Sequence, residues 1–307
     1  MESELVAAVR ALSSRRPFTN GDLRRLGDAY KAGREPDIET RVQIETWYEK
    51  LGRAATVVVD KAIERVLGVD GAKIAIKGTA QRLKTIETLV QKLNRGTYDL
   101  SRMQDYMGVR FDLDCYHAEL IEIGEQVAEI LETANVNVKI DNILESPHNG
   151  YRAVHLRITS SEAGRVEVQL RTLLQTAWAN AYEKAGDIAG RSIRYDDDFV
   201  IQDPNLNYVV NKLLEMSDMI YRTEVTTERT ANTNQGTFKV LSEGLEPRFE
   251  ALPRNSKYYE GFSRAFHALG DMFASQAELA MADSDLLDSL QTLEDSLRSW
   301  RAEEQRK

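Results

Sequence analysis

Two stretches near the middle of the chain alternate apolar and polar positions with a period of two. From Val166 to Thr172, Val166, Val168 and Leu170 fall on one side, and Glu167, Gln169 and Arg171 fall on the other. Just upstream, Val154, Leu156 and Ile158 form an apolar side while Tyr151 and His155 project opposite. Such alternation predicts strands with one buried and one polar face. Met107–Leu113 reads as another strand, a further one is expected near 137–143, and Lys73–Ile76 is a short candidate behind the Gly68–Val69–Asp70–Gly71 turn signal. Elsewhere the apolar spacing is helical. Ile38, Val42, Ile44, Trp47, Tyr48 and Leu51 start a pattern that continues over Ala54–Leu67. Helices are also expected from about Thr85 to Asn94, over Ala118–Leu131 and from Thr172 to about Ala185.

After Pro204 the texture is helical throughout. A long helix is predicted over Val209–Thr227, a polar break at Asn232–Gly236, and further helices at 258–281 and 285–305. Leu286, Leu290, Leu293 and Leu297 make a seam in the last of these, suited to packing on its own domain or, less commonly, on a second subunit. The order of elements predicts an α/β (α+β) fold, a mixed sheet with flanking helices plus N-terminal and C-terminal helical extensions. The expected regions are 1–70 (helical), 71–195 (α/β core) and 196–307 (helical).

With 307 residues, 42% hydrophobic and 29% charged, the composition is that of a soluble globular protein with a sizeable core. No apolar run approaches the roughly 18 residues of a membrane span, and residues 1–20 lack the apolar centre of a signal peptide. The single cysteine, Cys115, excludes an intramolecular disulfide and any cysteine-cluster zinc site, so a cytoplasmic location is expected. Net charge is −9, but residues 77–195 carry 15 basic and 16 acidic side chains and are close to neutral. With no basic tract, the chain is not expected to hold DNA by charge, while a local pocket for a nucleotide is compatible with this balance.

Four short motifs in the centre change the picture. Arg82–Leu83–Lys84 is followed by Thr88–Leu89 and Lys92; then come Asp105–Tyr106–Met107–Gly108–Val109–Arg110, Asn149–Gly150–Tyr151 with His155, and Glu167–Val168–Gln169–Leu170–Arg171–Thr172. In this order they resemble the synthetase domain of RelA/SpoT proteins over about residues 77–185. That resemblance implies a nucleotidyltransferase-like sheet and a Mg2+-dependent pyrophosphokinase. It would transfer the β,γ-pyrophosphoryl group of ATP to the 3′-hydroxyl of GDP or GTP, making (p)ppGpp alarmones and releasing AMP. It implies catalytic roles for Asp105, Arg110, Glu167, Gln169 and Arg171, with Asp105 and Glu167 as magnesium ligands. It assigns Arg82, Lys84, Thr88 and Lys92 to ATP, and His148, Asn149, Tyr151 and His155 to the acceptor nucleotide.

The chemistry of these residues suits such roles. Lys84, Thr88 and Lys92 at i, i+4 and i+8 would line one helix face, with Ile86, Leu89, Val90 and Leu93 on the other, and that polar face led by Arg82 would grip a triphosphate. A solvated helix face is the alternative. Magnesium is satisfied by one or two carboxylates plus phosphate oxygens and water. Asp112 and Asp114 compete with Asp105 for this role but read as turn-facing, solvated aspartates, and Glu167 has a salt bridge to Arg171 as its alternative. Tyr151 would stack on a purine or be a half-buried sheet tyrosine. His155 would donate to a phosphate or ribose oxygen, or be structural. Arg110 and Arg171 would spread charge on the transferred group, and Gly150 supplies a tight turn.

The sequence departs from the family pattern on the acceptor side. Pro147–His148 stand where a lysine is usual, Ala153 replaces a serine, and Tyr182–Glu183 take the place of a Glu-His pair. No His-Asp dipeptide is present, so the hydrolase domain of long relatives is not expected. The resemblance is therefore to a small alarmone synthetase with a long helical extension, open to self-association through terminal helices. A second reading is the toxic branch, acting on adenine nucleotides or the 3′ end of tRNA, with an antitoxin or tRNA partner. Arg191, Arg194 and the Arg15–Arg16 and Arg24–Arg25 pairs would then form a tRNA patch. A third is a catalytically silent nucleotide-binding module, against which the presence of both Asp105 and Glu167 argues.

Overall fold

The computed structural model describes residues 2–68, 74–96, 99–190, 193, 200–230 and 279–304. Val69–Lys73, Arg191, Arg194, the Asn232–Gly236 break and most of the 258–281 pattern lie outside the described residues. The chain groups into two units. The first, Met1–Asn142 with Ala153–Arg171, holds α1 (Glu2–Ser13), α2 (Asn20–Lys31), α3 (Ile38–Leu67), α4 (Ile86–Arg95), α5 (His117–Glu132) and the strands. These are β1 (Ala75–Leu83), β2 (Met107–Asp114), β3 (Asn137–Asn142), β4 (Val154–Ser160) and β5 (Gly164–Thr172). The second, Ile143–Arg152 with Thr172–Lys307, holds α6 (Leu173–Ala189), α7 (Pro204–Thr230) and α8 (Leu279–Glu304). The N-terminal helices thus group with the sheet in the first unit.

The strands form one mixed five-stranded sheet in the order β1-β2-β5-β4-β3. Neighbours β1/β2, β3/β4 and β4/β5 run antiparallel. Strand β1 runs well beyond the short Lys73–Ile76 candidate, and almost all of its side chains are exposed. An edge strand with no buried face gives no period-two signal. The central strands alternate as expected. Val109, Phe111, Leu113, Val154, Leu156, Ile158, Val166, Val168 and Leu170 are all buried, each contributing about 1.5–3 kcal/mol by leaving water.

Helices α3 and α5 pack on that apolar face and on each other. Asp37 starts α3 by accepting from the Thr40 amide. From α3, Trp47 Nε1 donates to the Ala163 carbonyl at 2.8 Å, fastening the β4–β5 turn. Gly124 lets α5 approach closely: a Cβ there would lie 2.9 Å from Leu156 Cδ2 and 3.4 Å from Ile140 Cδ1.

In the second unit Thr172 caps α6 in a reciprocal box with Gln175. Trp178 stacks on Tyr182 and donates to the Leu213 carbonyl of α7 at 2.5 Å. Leu290, Leu293 and Leu297 of α8 are buried in this core, so the seam packs within its own unit. No helix among the described residues is long and apolar enough to cross a membrane. Gly124→Val is expected to lower unfolding free energy by about 1–3 kcal/mol through overpacking, measured by urea denaturation; unchanged stability would show that α5 is not seated this closely.

Candidate active site

Lys84 follows β1 and Lys92 lies on α4, yet both ammonium groups donate to the same oxygen, Asp105 Oδ2, at 2.6 and 2.7 Å. Lys84 is not on the helix, as the i, i+4, i+8 spacing predicted, because Thr85 is the N-cap of α4. It is held beside the start of β2 by its own amide, which donates to the Tyr106 carbonyl at 2.9 Å. Helix α4 is amphipathic through buried Leu89 and Leu93, whereas Ile86 is exposed. Thr88 bonds back to Thr85 within the first turn, and Arg82 is exposed on β1 opposite Gly108.

Asp105 is only 15% exposed. Burial pushes its carboxyl pKa up, but the Lys84 and Lys92 charges outweigh this and hold it below the ordinary value. Its second oxygen, Oδ1, is buried without a hydrogen-bond partner. Further along β2, Arg110 Nε lies 3.0 Å from Asp112 Oδ1, off the line that a hydrogen bond requires. Asp112 is therefore ion-paired and mostly buried at 14% exposure, a correction to the solvated aspartate expected there. Asp114 is exposed, as expected.

A second cluster runs along β5 on the face turned away from α3 and α5. Gln169 Nε2 donates to Glu167 Oε2 at 3.0 Å, and Arg171 Nη2 donates to Gln169 Oε1 at 2.9 Å. The glutamine amide thus relays between the acid and the guanidinium, with its dipole aligned to both. Glu167 and Arg171 are each 8% exposed, so these charge-assisted bonds operate at a low local dielectric. His155, register partner of Gln169 on β4, places Nδ1 at 3.7 Å from Glu167 Oε1. Burial holds the imidazole pKa below 6.5; Glu167 opposes this, Arg171 and Arg157 reinforce it, and Asp141 works against it.

Sequence reasoning missed the neighbouring cluster of Lys139, Asp141 and Arg157. Arg157 Nε and Lys139 Nζ lie 2.6 and 2.7 Å from Asp141 oxygens. The signal was present as alternate charged positions on β3 and β4, which face each other in register.

His148, Asn149 and Tyr151 belong to the second unit. Asn149 and Gly150 have φ of 48° and 76°, and the Tyr151 amide donates to the His148 carbonyl at 3.0 Å. Asn-Gly is suited to such a pair of left-handed residues. A Cβ on Gly150 would come within 2.8 Å of the Trp178 ring. Tyr151 precedes β4 and packs against the helical core, so the strand's alternation, which had put it on one face with His155, does not reach it. Asn149 Nδ2 is buried and makes no hydrogen bond.

A family model described as a region found in RelA / SpoT proteins matches residues 81–186. Uncharacterized proteins of Mycobacterium tuberculosis and Mycobacterium bovis are 36% identical over 194 residues, covering 62% of this chain and 67% of theirs. The chain belongs to the RelA/SpoT family. The matched RelA/SpoT region includes every candidate residue from Arg82 to Arg171, while α7 and α8 lie beyond it. Small alarmone synthetase 1 from Bacillus subtilis bound to AMPCPP superposes with a TM-score of 0.42 at 16% identity, over 61% of this chain and 94% of that one. The Type VI effector Tas1, in complex with its immunity protein, gives 0.26 at 13% identity, over 73% and 92%. At these scores neither bears on fold or function.

Acid should destabilise the protein in two stages. Because the folded-state pKa of His155 lies below its ordinary 6.5, the unfolded chain takes up a proton that the folded chain refuses, and stability falls as pH drops below that value. Asp105, with a depressed carboxyl pKa, adds stability above 3.8 that is lost as pH falls through its lower folded value. Denaturant titrations of His155→Gln should lack the first decline and keep the second. An identical pH profile would show that His155 is not the group responsible.

Proposed function

We propose that this protein is an ATP-dependent pyrophosphokinase that acts on the 3′-hydroxyl of a guanine nucleotide. The observation that carries the reading is Asp105, buried within the RelA/SpoT region between two ammonium groups, with one oxygen still lacking a partner. Lys84, Lys92, Arg82 and Thr88 bind the donor triphosphate, as charge-assisted contacts favour. The Asn149–Gly150–Tyr151 turn, with His148, takes the acceptor, Tyr151 stacking on its base.

In the reaction the acceptor's 3′-oxygen attacks the β-phosphorus of ATP, and the bond from that phosphorus to the α,β-bridging oxygen breaks. AMP leaves, and the hydroxyl proton passes to Glu167, which Gln169 and His155 hold in place. Arg110 and Arg171 stabilise the charge on the transferred group. Magnesium fits the donors present: Asp105 keeps one carboxylate oxygen without a hydrogen-bond partner, and this cation needs only one or two carboxylates beside phosphate oxygens. Asp105 and Glu167 would hold it, and there it would supply neutralisation of the polyphosphate charge.

The departures at Pro147–His148, Ala153 and Tyr182–Glu183 favour a second acceptor class, adenine nucleotides or the 3′ end of tRNA, as the alternative to guanine nucleotides. Incubation with ATP labelled at the γ-phosphate and each acceptor separately decides between them. Label in a guanosine polyphosphate, with equimolar AMP, is the expected result. Transfer to tRNA or an adenine nucleotide alone would replace the guanine assignment, and no transfer to any acceptor would leave only nucleotide binding. Asp105→Ala and Glu167→Gln should each lower kcat by at least about 100-fold with far-ultraviolet circular dichroism unchanged, and chelation of divalent cations should stop turnover.

A further inference from the structure

Helix α7 lies beyond the matched RelA/SpoT region, yet one face of it is bonded to the turn assigned above to the acceptor. Ser217, Tyr221 and Glu224 recur at i, i+4 and i+7, a single stripe of the helix. Ser217 Oγ donates to the Gly150 carbonyl, at the centre of the Asn149–Gly150–Tyr151 turn. Arg152, the residue after that turn, is 5% exposed. Its Nε donates to Ser217 Oγ at 3.2 Å, its Nη2 to Asp218 at 2.5 Å, and its Nη1 to the Leu144 carbonyl. The guanidinium also sits over the Tyr221 ring, 4.4 Å from its centroid. One turn further, Glu224 accepts from Thr172 Oγ1 and from Gln175 Nε2 at 3.0 Å, bracing the N-terminus of α6 directly after Arg171.

This is more than a packing surface requires. The apolar side of α7, with Val210, Leu213 and Ile220, already accounts for its burial. The polar stripe instead ends on two backbone features at which candidate residues are anchored. Asn149 holds a left-handed φ of 48°, which for a residue other than glycine costs free energy and persists only where the surroundings fix it. A buried arginine spending its donors on one helix and one carbonyl is a costly arrangement for stability alone.

We infer that α7 is a positioning element of the acceptor side, in which Ser217 and Arg152 hold the Asn149–Gly150–Tyr151 turn in its binding conformation. The inference rests on the assignment of that turn to the acceptor. Arg152 and Ser217 act through the turn and touch no reacting atom. A turn released from α7 samples other conformations, and the acceptor must then supply the ordering free energy on binding. ATP, assigned to residues of β1 and α4, is unaffected.

The test is steady-state kinetics of Ser217→Ala in the full chain with ATP and GDP, together with calorimetric titration of each nucleotide. Expected is a rise of about tenfold in KM and Kd for GDP, with KM for ATP and kcat within about twofold, and recovery of acceptor affinity in Ser217→Thr, which keeps the hydroxyl. Should Ser217→Ala fail to fold, Asp218→Ala, which removes an exposed partner of Arg152, supplies the same measurements, with a smaller rise for GDP only. Equal shifts for both nucleotides, or an unchanged KM for GDP in an active protein, would overturn the positioning role. A wild-type protein that neither binds GDP nor transfers pyrophosphate to it would overturn the acceptor assignment itself, and this inference with it.

Discussion

A sheet whose one face is sealed under apolar helices must deliver every alternate side chain to the other face, and charges gathered there have to neutralise one another. That constraint organises the first unit. Val166, Val168 and Leu170 meet the α3 and α5 side, which obliges Glu167, Gln169 and Arg171 to share the opposite one. Low exposure makes each of these groups dependent on its neighbour. The result is a relay in which Gln169, neutral itself, presents its nitrogen to the acid and its oxygen to the guanidinium.

Asp105 solves the same problem differently. Two lysines from different elements neutralise one of its oxygens, and the other remains unsatisfied. Buried polar atoms are normally paired, so an orphan acceptor beside two cations is a place where a ligand changes the balance. Asn149 Nδ2 is a comparable orphan in the second unit. Both residues belong to motifs picked out by sequence.

Much of the fold was legible because it rests on periodicity. The buried strands β2, β4 and β5 and helices α3, α5 and α6 fall where apolar spacing predicts. Strand β1 was not, since an exposed edge carries no alternation. Tyr151 was wrongly extended into the β4 pattern because period two says nothing about where a strand begins, and the left-handed pair at Asn149 and Gly150 ends the regularity before it. The helical spacing of Lys84 with Lys92 also misled: the two do converge, but through a carboxylate on a third element. Asp112 misled for a related reason, because its partner Arg110 sits two residues away on the same strand face, where ion pairing and solvation look alike in sequence.

By itself the amino-acid order determined which side of each strand is apolar, through local period, and to which family the chain belongs, through the order of its motifs. Only the tertiary structure decided that Lys84 and Lys92 share one oxygen of Asp105, that Gln169 stands between Glu167 and Arg171, and that α7 is bonded to the Gly150 turn. Those contacts join residues far apart in the chain, or turn on a side-chain amide's orientation. Their free energy comes from burial and neutralisation that exist only after folding.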